Sequence, residues 1–298
     1  MIYSFNELSE EQKRNIYQFI SSFEYTGGFG CCEEMSSFYG GVVFDNGSSH
    51  FSLWENGRLS GTLGVVAKEA AVRNEIFITG IFLKTSEECK LPMLLSGAYE
   101  YCSGIGAGSY KLGLNHDRYY LMPVVKKCGF NEMYRYYEMS YTGSAVSLPQ
   151  DTEQCFRSLD PENIRDFQQV HNAAFLLAPN GAAIDDNELQ GYLEEYKGSR
   201  LAGIYYESGI AAGVYVLKLK GNEGYIDGIG ADPRFHGRGI GKKLLLRSIQ
   251  VLQQAGAEKI SLSVFDSNRR AFDMYIRQGF QVEKEHSAWF EKKRTTEK

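Results

Sequence analysis

The chain has no Cys-x-x-Cys pair: its six cysteines, at 31, 32, 89, 102, 128 and 155, match no zinc-ligand spacing. Its five histidines, at 50, 116, 171, 236 and 286, are equally dispersed. This pattern predicts reduced thiols and no metal centre. Excess positive charge is also lacking, with 32 Lys and Arg against 37 Asp and Glu and a net charge of -5. Nucleic acid and anionic membrane both select a basic surface, so neither is expected as a partner. No apolar run reaches spanning length, and the opening MIYSFNELSEEQKRN has neither a charged n-region nor an apolar h-region. A cytoplasmic location is the expectation.

What is present is enough to build cores: 43% hydrophobic residues, with 18 Phe and 20 Tyr. At 298 residues the chain is about twice a usual single-domain length of roughly 150, so two domains are expected. The pattern repeats accordingly. A helix over 7–22 capped by Ser9, a hairpin at Asn56-Gly57, a strand EIFITGIFL, a helix near 91–103, a strand YKLGLN, a further helix and the alternating MYRYYEMSY make the first half. The second half runs CFRSL as strand, a helix beginning at Pro161 after the cap Asp160, a helix over DDNELQGYLEEY and a hairpin around Glu207-Ser208-Gly209. GYIDGIGAD, a long helix, the strand KISLSVF, the helix NRRAFDMYIRQGF and a final QVEKEHSAWF follow. Alternating strands and helices place the chain in the α/β or α+β class.

A shift of 150 positions lays Gly106-Ala107 on Gly256-Ala257, Leu112 on Leu262 and Gly129-Phe130 on Gly279-Phe280. The five identities fall at the same joints of the same element order, which is the mark of a tandem duplication. A boundary near 148 divides the chain into domains 1–148 and 149–298.

One stretch, FHGRGIGKKLLL at 235–246, sets three glycines immediately before a helix-forming run. A helix start has unpaired N–H groups and partial positive charge, so an anion fits there. Gly237, Gly239 and Gly241 put no Cβ in the way, and Arg238, Lys242 and Lys243 add full charges. Ile240, Leu244, Leu245, Ile249 and Leu252 recur at helical spacing, so one face can pack while the start stays open. Neither nucleotide motif fits. A P-loop needs a glycine at 236 and Ser or Thr at 243, and the dinucleotide fingerprint needs GxGxxG, not alternate glycines.

Taken together, IDGIGADPRFHGRGIGKKLL, KISLSVFDSN and NRRAFDMYIRQGF resemble the GNAT acyltransferase superfamily over about residues 223–280. The family's loop pattern of Gln or Arg, two residues, Gly, one residue, Gly or Ala falls on His236, Gly239 and Gly241, with His236 a departure at the first place. Asn268, Ala271, Tyr275 and Gly279-Phe280 match its downstream pattern. The resemblance implies two tandem domains, each a mixed, mostly antiparallel sheet flanked by helices. It implies acetyl-CoA as acyl donor, bound by Ile229, Gly230 and Ala231 of the splayed strand, by His236, Gly237, Arg238, Gly239, Ile240, Gly241 and Lys242 of the loop, and by Asn268 and Ala271. The implied reaction is direct N-acyl transfer to an amine, with main chain at 229–231 facing the thioester carbonyl and Tyr275 as acid for the departing thiolate. Asp227 and Glu223, on one face of the strand by its period of two, are the candidate bases, and solvent is a third.

In the first half the loop reads TSEECKL, with no glycine and with Glu87 and Glu88, which would repel a pyrophosphate. Arg118 stands for Asn268 and Val125 for Tyr275, and FITGIFL aligns two residues out of the 150 register. The first half is expected to be a degenerate copy that binds no coenzyme. Acceptor selection is assigned to LLAPNGAAIDDNELQGYLEEY at 176–196, with the N-terminal half as a second source; Asp185, Asp186, Glu194 and Glu195 either attract an amine or form a solvated helix face. The acceptor itself is not legible. The competing class is a non-catalytic acyl-CoA-binding or regulatory protein.

Overall fold

The computed structural model describes residues 1–68, 70–176, 178–179, 181, 183–197 and 199–294. These form two compact units: Met1–Tyr136 together with the residues from His286 on, and Tyr137–Glu285. The expected boundary near 148 therefore falls inside the second unit. Residues 142–148 belong there because Thr142 N–H donates to the Gly279 carbonyl at 2.9 Å and Val146 N–H to Gln253 Oε1 at 2.9 Å. The chain's end returns to the first unit through the pairing of its last strand, described next.

The first unit is built on β1 (Ile2–Ser4), β2 (His50–Glu55), β3 (Arg58–Val66), β4 (Glu75–Leu83) and β5 (Ser109–Asn115). The last strand, β12 (Phe280–Lys293), pairs antiparallel with β5 from Ser287↔Asn115 to Lys293↔Ser109 and so completes this sheet. Neighbours are antiparallel except β4 and β5. The Asn56-Gly57 turn, with φ of 50° and 75°, joins β2 to β3 with the left-handed geometry that suits a tight hairpin. One face carries α3 (Ala70–Arg73), α4 (Leu91–Tyr101) and α5 (Met122–Lys127) over a core including Leu53, Ile78, Leu95, Leu112 and Phe290. On the other, α1 (Glu10–Ile20) and α2 (Cys32–Tyr39) cover Phe5, Ile16, Met35 and Phe82. Ser9 caps α1 reciprocally with Gln12, as its spacing predicts.

The second unit repeats the plan with β7 (Phe156–Ser158), β8 (Ala202–Glu207), β9 (Ile210–Lys220), β10 (Glu223–Ala231) and β11 (Lys259–Phe265), antiparallel except β10 and β11. It follows β6 (Asn131–Tyr141) and α6 (Gln150–Glu153). The hydrophobic face of α9 (Ile240–Gln254) buries Leu244, Leu245, Ile249 and Leu252, while α7 (Ile164–Phe175) and α8 (Asp186–Tyr196) bury Phe167, Val170 and Leu189 with Val214 and Val216 in a second cluster. The helix expected from Pro161 starts later, at Ile164. Asp160 instead accepts from Glu162 and Asn163 N–H in a preceding turn, at 2.8 and 3.0 Å, which holds residues 161–163 outside the helix.

The duplication is explicit in the parallel pairing. Glu75↔Ser109 to Ile78↔Leu112 in one unit corresponds to Glu223↔Lys259 to Ile226↔Leu262 in the other. From Glu75 to Glu223 is 148 positions and from Ser109 to Lys259 is 150, which is the two-residue slip seen in the sequence.

Candidate functional site

β10 and β11 pair only over Glu223–Ile226, while β10 runs on to Ala231 with β9 as its partner. Beyond Ile226 the two parallel strands part, so main chain on that side of β10 opens towards a cleft instead of a neighbouring strand. A register shift between Ile226 and Gly228 places a bulge at Asp227, where the strand changes the aim of its side chains.

The loop after β10 is fixed from below. Asp232, 2% exposed, accepts from Arg234 N–H at 2.8 Å and pairs with its guanidinium at 2.7 Å, which holds the carboxyl below the usual carboxylate range. The His236 ring reaches back, with Nε2 3.3 Å from the Ala231 carbonyl. Gly237 and Gly239 then take φ of 85° and 75°, the left-handed region, and Gly239 caps α9 with its carbonyl accepting from Lys242 and Lys243 N–H. Among the described residues, the N–H groups of Gly237, Gly239, Ile240 and Gly241 have no protein acceptor. That is a ready anion cradle.

These parts surround a cleft of about 360 Å³. Ile229, Gly230 and Ala231 form the strand side. His236, Gly237, Gly239, Ile240, Gly241 and Lys242 form the loop side, and Asn268, Ala271 and Tyr275 come from the start and inner face of α10 (Arg269–Arg277). Asn268 also caps that helix, accepting from Ala271 N–H at 3.3 Å. Tyr275 is 7% exposed and packs 5.9 Å from the Phe280 ring. Two charges lie elsewhere. Arg238 stacks over Phe235 at 5.3 Å, and Lys243 donates to the Tyr205 hydroxyl at 2.6 Å, a bond that raises the lysine's pKa. Arg270 and Arg277, which the sequence reading did not select, supply positive charge to the lining instead.

A second cleft of about 310 Å³ is lined by His171, Phe175, Ile184, Glu188, Tyr192, Asp227 and Gly228, among others. It shares Phe175 with the first cleft, and Gly228 adjoins Ile229 in the strand. Asp227 pairs with Lys218 at 3.0 Å. Glu223 lies at the opposite end of β10, in register with Lys220 and Lys259, and belongs to neither lining. Burial pushes the His171 imidazole below its ordinary pKa and the Tyr192 phenol above its own, so both are neutral at neutral pH. His171 and Phe175, four apart on α7, point the same way, with rings 4.7 Å apart.

The sequence reading missed α7 as a wall of both clefts. Its signal was the glycine spacing in GYIDGIGA: a Cβ on Gly230 would come within 2.7 Å of Ala174 and Phe175, so the bare strand is what lets α7 approach. Of the acceptor segment 176–196, residues 177, 180 and 182 lie outside the described residues. Asp185 there caps α8, and Asp186 pairs with Arg165 at 2.6 Å. Glu194 and Glu195 are exposed and outside both linings.

Comparison with known proteins agrees with this geometry. The family model described as "Acetyltransferase (GNAT) family" matches residues 131–280. A mycothiol acetyltransferase of Propionibacterium freudenreichii is 29% identical over 153 residues, covering 46% of this chain and 49% of the relative. A thialysine N-epsilon-acetyltransferase of Bos taurus is 34% identical over 87 residues, 29% of this chain and 47% of that one. The chain thus spans about half the length of these relatives. A solved GCN5-related N-acetyltransferase from Sphaerobacter thermophilus superposes with a TM-score of 0.68 at 17% identity, covering 98% of this chain and 95% of its own. Its likeness is one of fold.

Proposed function

Because the chain belongs to the GNAT acetyltransferase family, we propose that its second unit transfers an acetyl group from acetyl-CoA directly to an amine. The observation that carries this reading is the coincidence, in one cleft, of unpaired N–H groups at Gly237, Gly239, Ile240 and Gly241 with the splayed end of β10 and the Tyr275 side chain.

The residues fit the donor along its length. Glycine N–H groups, Lys242, Arg270 and Arg277 suit a pyrophosphate, and Ile229, Ala231, Ala271 and Met274 suit the apolar arm that follows. At Gly241 an added Cβ would make only an ordinary van der Waals contact with the Met274 sulfur, at 3.7 Å. Main chain of the splayed segment faces the thioester carbonyl and stabilises the charge that develops on its oxygen. The amine nitrogen attacks the carbonyl carbon, the C–N bond forms, and the C–S bond breaks with its electron pair on sulfur. Tyr275 gives that sulfur its hydroxyl proton and is reprotonated from solvent.

An acceptor amine with a pKa of roughly 10 arrives as an ammonium and must lose a proton before it attacks. Asp227, of the two carboxylates expected to act, is the one beside the second cleft, and its charge draws the ammonium to the bulge. Glu223 has no part in the step.

Mass spectrometry of an amine panel incubated with the protein and acetyl-CoA tests the reading. An acetylated amine with stoichiometric release of thiol is expected. Acetyl-CoA binding without transfer to any amine would instead identify a non-catalytic binding protein.

A further inference from the structure

We propose that the second cleft is the acceptor site and that it takes a small primary amine bearing one positive charge on an apolar or aromatic body, with His171 as its proton acceptor. This rests on the acetyl-transfer reading above, which fixes the reacting carbonyl at the Ile229 end of the first cleft.

The cleft's size, about 310 Å³, is at the low end of the roughly 300–1,000 Å³ typical of small-molecule sites. Its walls are Phe175, Tyr192, Ile184, Val214 and Val216, so most of an occupant's surface meets carbon. Charge is scarce and largely spoken for. Asp227 is paired with Lys218 at 3.0 Å, and the Glu188 carboxylate accepts from Asp185 N–H at 3.0 Å as the return half of the α8 cap. A single ammonium is matched by what remains of these two carboxylates and by the aromatic faces of Phe175 and Tyr192. A second or third cationic group would meet Ile184, Val214 and Val216 with no counter-charge, at the desolvation penalty of a buried unpaired ion.

His171 is the base within this lining. It stands on α7 between the Phe167 and Phe175 rings, at 6.0 and 4.7 Å, with Nδ1 3.3 Å from Asn172 Oδ1. Glu188, Asp227 and the Tyr192 phenol are the titratable groups of the same lining, and Lys218 reaches it only through Asp227. A neutral imidazole adds no repulsion to an incoming ammonium. It takes one ammonium proton and later returns it to solvent, the freed lone pair attacks the thioester, and the second N–H proton lost on collapse also leaves to solvent; one of these two replaces the proton that Tyr275 gives the thiolate, so the products are the amide, the thiol and one released proton.

The test is thiol release from acetyl-CoA with phenethylamine, spermidine, glucosamine and a lysine-containing peptide as acceptors. Phenethylamine is expected to have a kcat/KM at least about tenfold above each of the others, the scale on which an apolar pocket discriminates. Lys218→Met removes the partner of Asp227 and should shift preference towards spermidine. His171→Gln should lower kcat for phenethylamine by about 10²-fold or more, with the residual rate climbing steadily as pH rises because free amine then comes from solution. Preference for spermidine, glucosamine or the peptide in the wild-type protein overturns the acceptor class and leaves acetyl transfer standing. An unchanged rate in His171→Gln overturns the base. No transfer to any of the four overturns both this inference and the function on which it rests.

Discussion

The two units carry one scaffold with opposite fillings. In both, the parallel strands pair over four positions and then part, and in both the strand that runs on is bulged near a glycine, Gly80 in β4 and Gly228 in β10. Where β10 continues as Gly230-Ala231, β4 continues as Phe82-Leu83, 1% and 0% exposed. Arg118, at the place of Asn268, is 1% exposed and lies over the Phe82 ring at 4.0 Å, with its guanidinium donating to the Tyr25 carbonyl and to Asp117. The Tyr120 hydroxyl donates to the Leu83 carbonyl, capping main chain at the position equivalent to Ala231. Helix α4 enters from a 3-10 turn at residues 85–90 and carries Pro92, which has no N–H, in its first turn, so its start has neither the glycines nor the left-handed cap of α9. The splay comes from the fold, and an open cleft comes from what the next few side chains leave out.

The largest test of this contrast is Gly239→Asp. An added Cβ there meets no atom within 4 Å, and aspartate is among the residues that tolerate left-handed φ, so the unit should fold. Its carboxylate would point into the cradle. The wild-type protein should gain about 2.7 kcal/mol from acetyl-CoA at 100 times Kd, and the variant none, read as a thermal shift. Titration calorimetry should give one site per chain, and two sites would show that the first unit's filling is not a seal.

Tyr275→Phe should come next. Without its hydroxyl the ring still packs on Phe280, so coenzyme affinity should hold while turnover falls by about 10 to 10⁴ fold. Loss should be smaller with an acyl donor whose thiolate is less basic. Equal rates in the two proteins with every donor would make Tyr275 a packing residue, as Val125 is in the first unit.

Arg118→Met asks how the sealed site is held. Removing a buried cation leaves Asp117 with the Tyr25 N–H but no counter-charge, and about 3–5 kcal/mol of the first unit's stability should be lost. The acetyl-CoA thermal shift should persist, because every residue of the cradle lies in the second unit. Loss of that shift would refute the independence of the two sites.

The pattern of residues made the open site far more legible than the sealed one. Glycine at 237 and 239 announces left-handed backbone before a helix, and hydrophobic spacing in α9 fixes which way its start faces, so local rules suffice. Both the α7 wall and Arg118 depend on contacts across the sheet. Nothing within residues 164–175 says that Phe175 will border Gly228 and Gly230, and nothing around Arg118 says that Phe82 will receive it. The place of residues 137–148 with the second unit, and of the chain's end with the first, rests on contacts of the same long-range kind. The pairing of Ser287–Lys293 with β5 joins positions more than 170 apart, and each half of that pair reads as an ordinary strand.

The smallest expected effect separates the two histidines that burial keeps neutral. His171 borders an open cleft, whereas His50 is fully buried in the first unit, stacked on Tyr39 at 3.8 Å with Phe5 and Phe44 edge-on, and its ring nitrogens have no partner among the described residues. That environment pushes the His50 pKa from 6.5 down to about 3. A base whose folded pKa is depressed binds its proton more readily when unfolded, so stability is complete above 6.5 and falls as pH drops from 6.5 towards 3. The slope is about 1.4 kcal/mol per pH unit. The fall expected in the first unit between pH 6.5 and 5 is assigned to His50, the histidine of that unit that is fully buried. Denaturant melts with acetyl-CoA present to hold the second unit should show the first unit losing about 2 kcal/mol over that interval. His50→Phe keeps an aromatic ring in the Tyr39 stack and should flatten the profile. An identical slope in that variant would move the acid sensitivity of the first unit to other groups and leave its aromatic core a matter of packing alone.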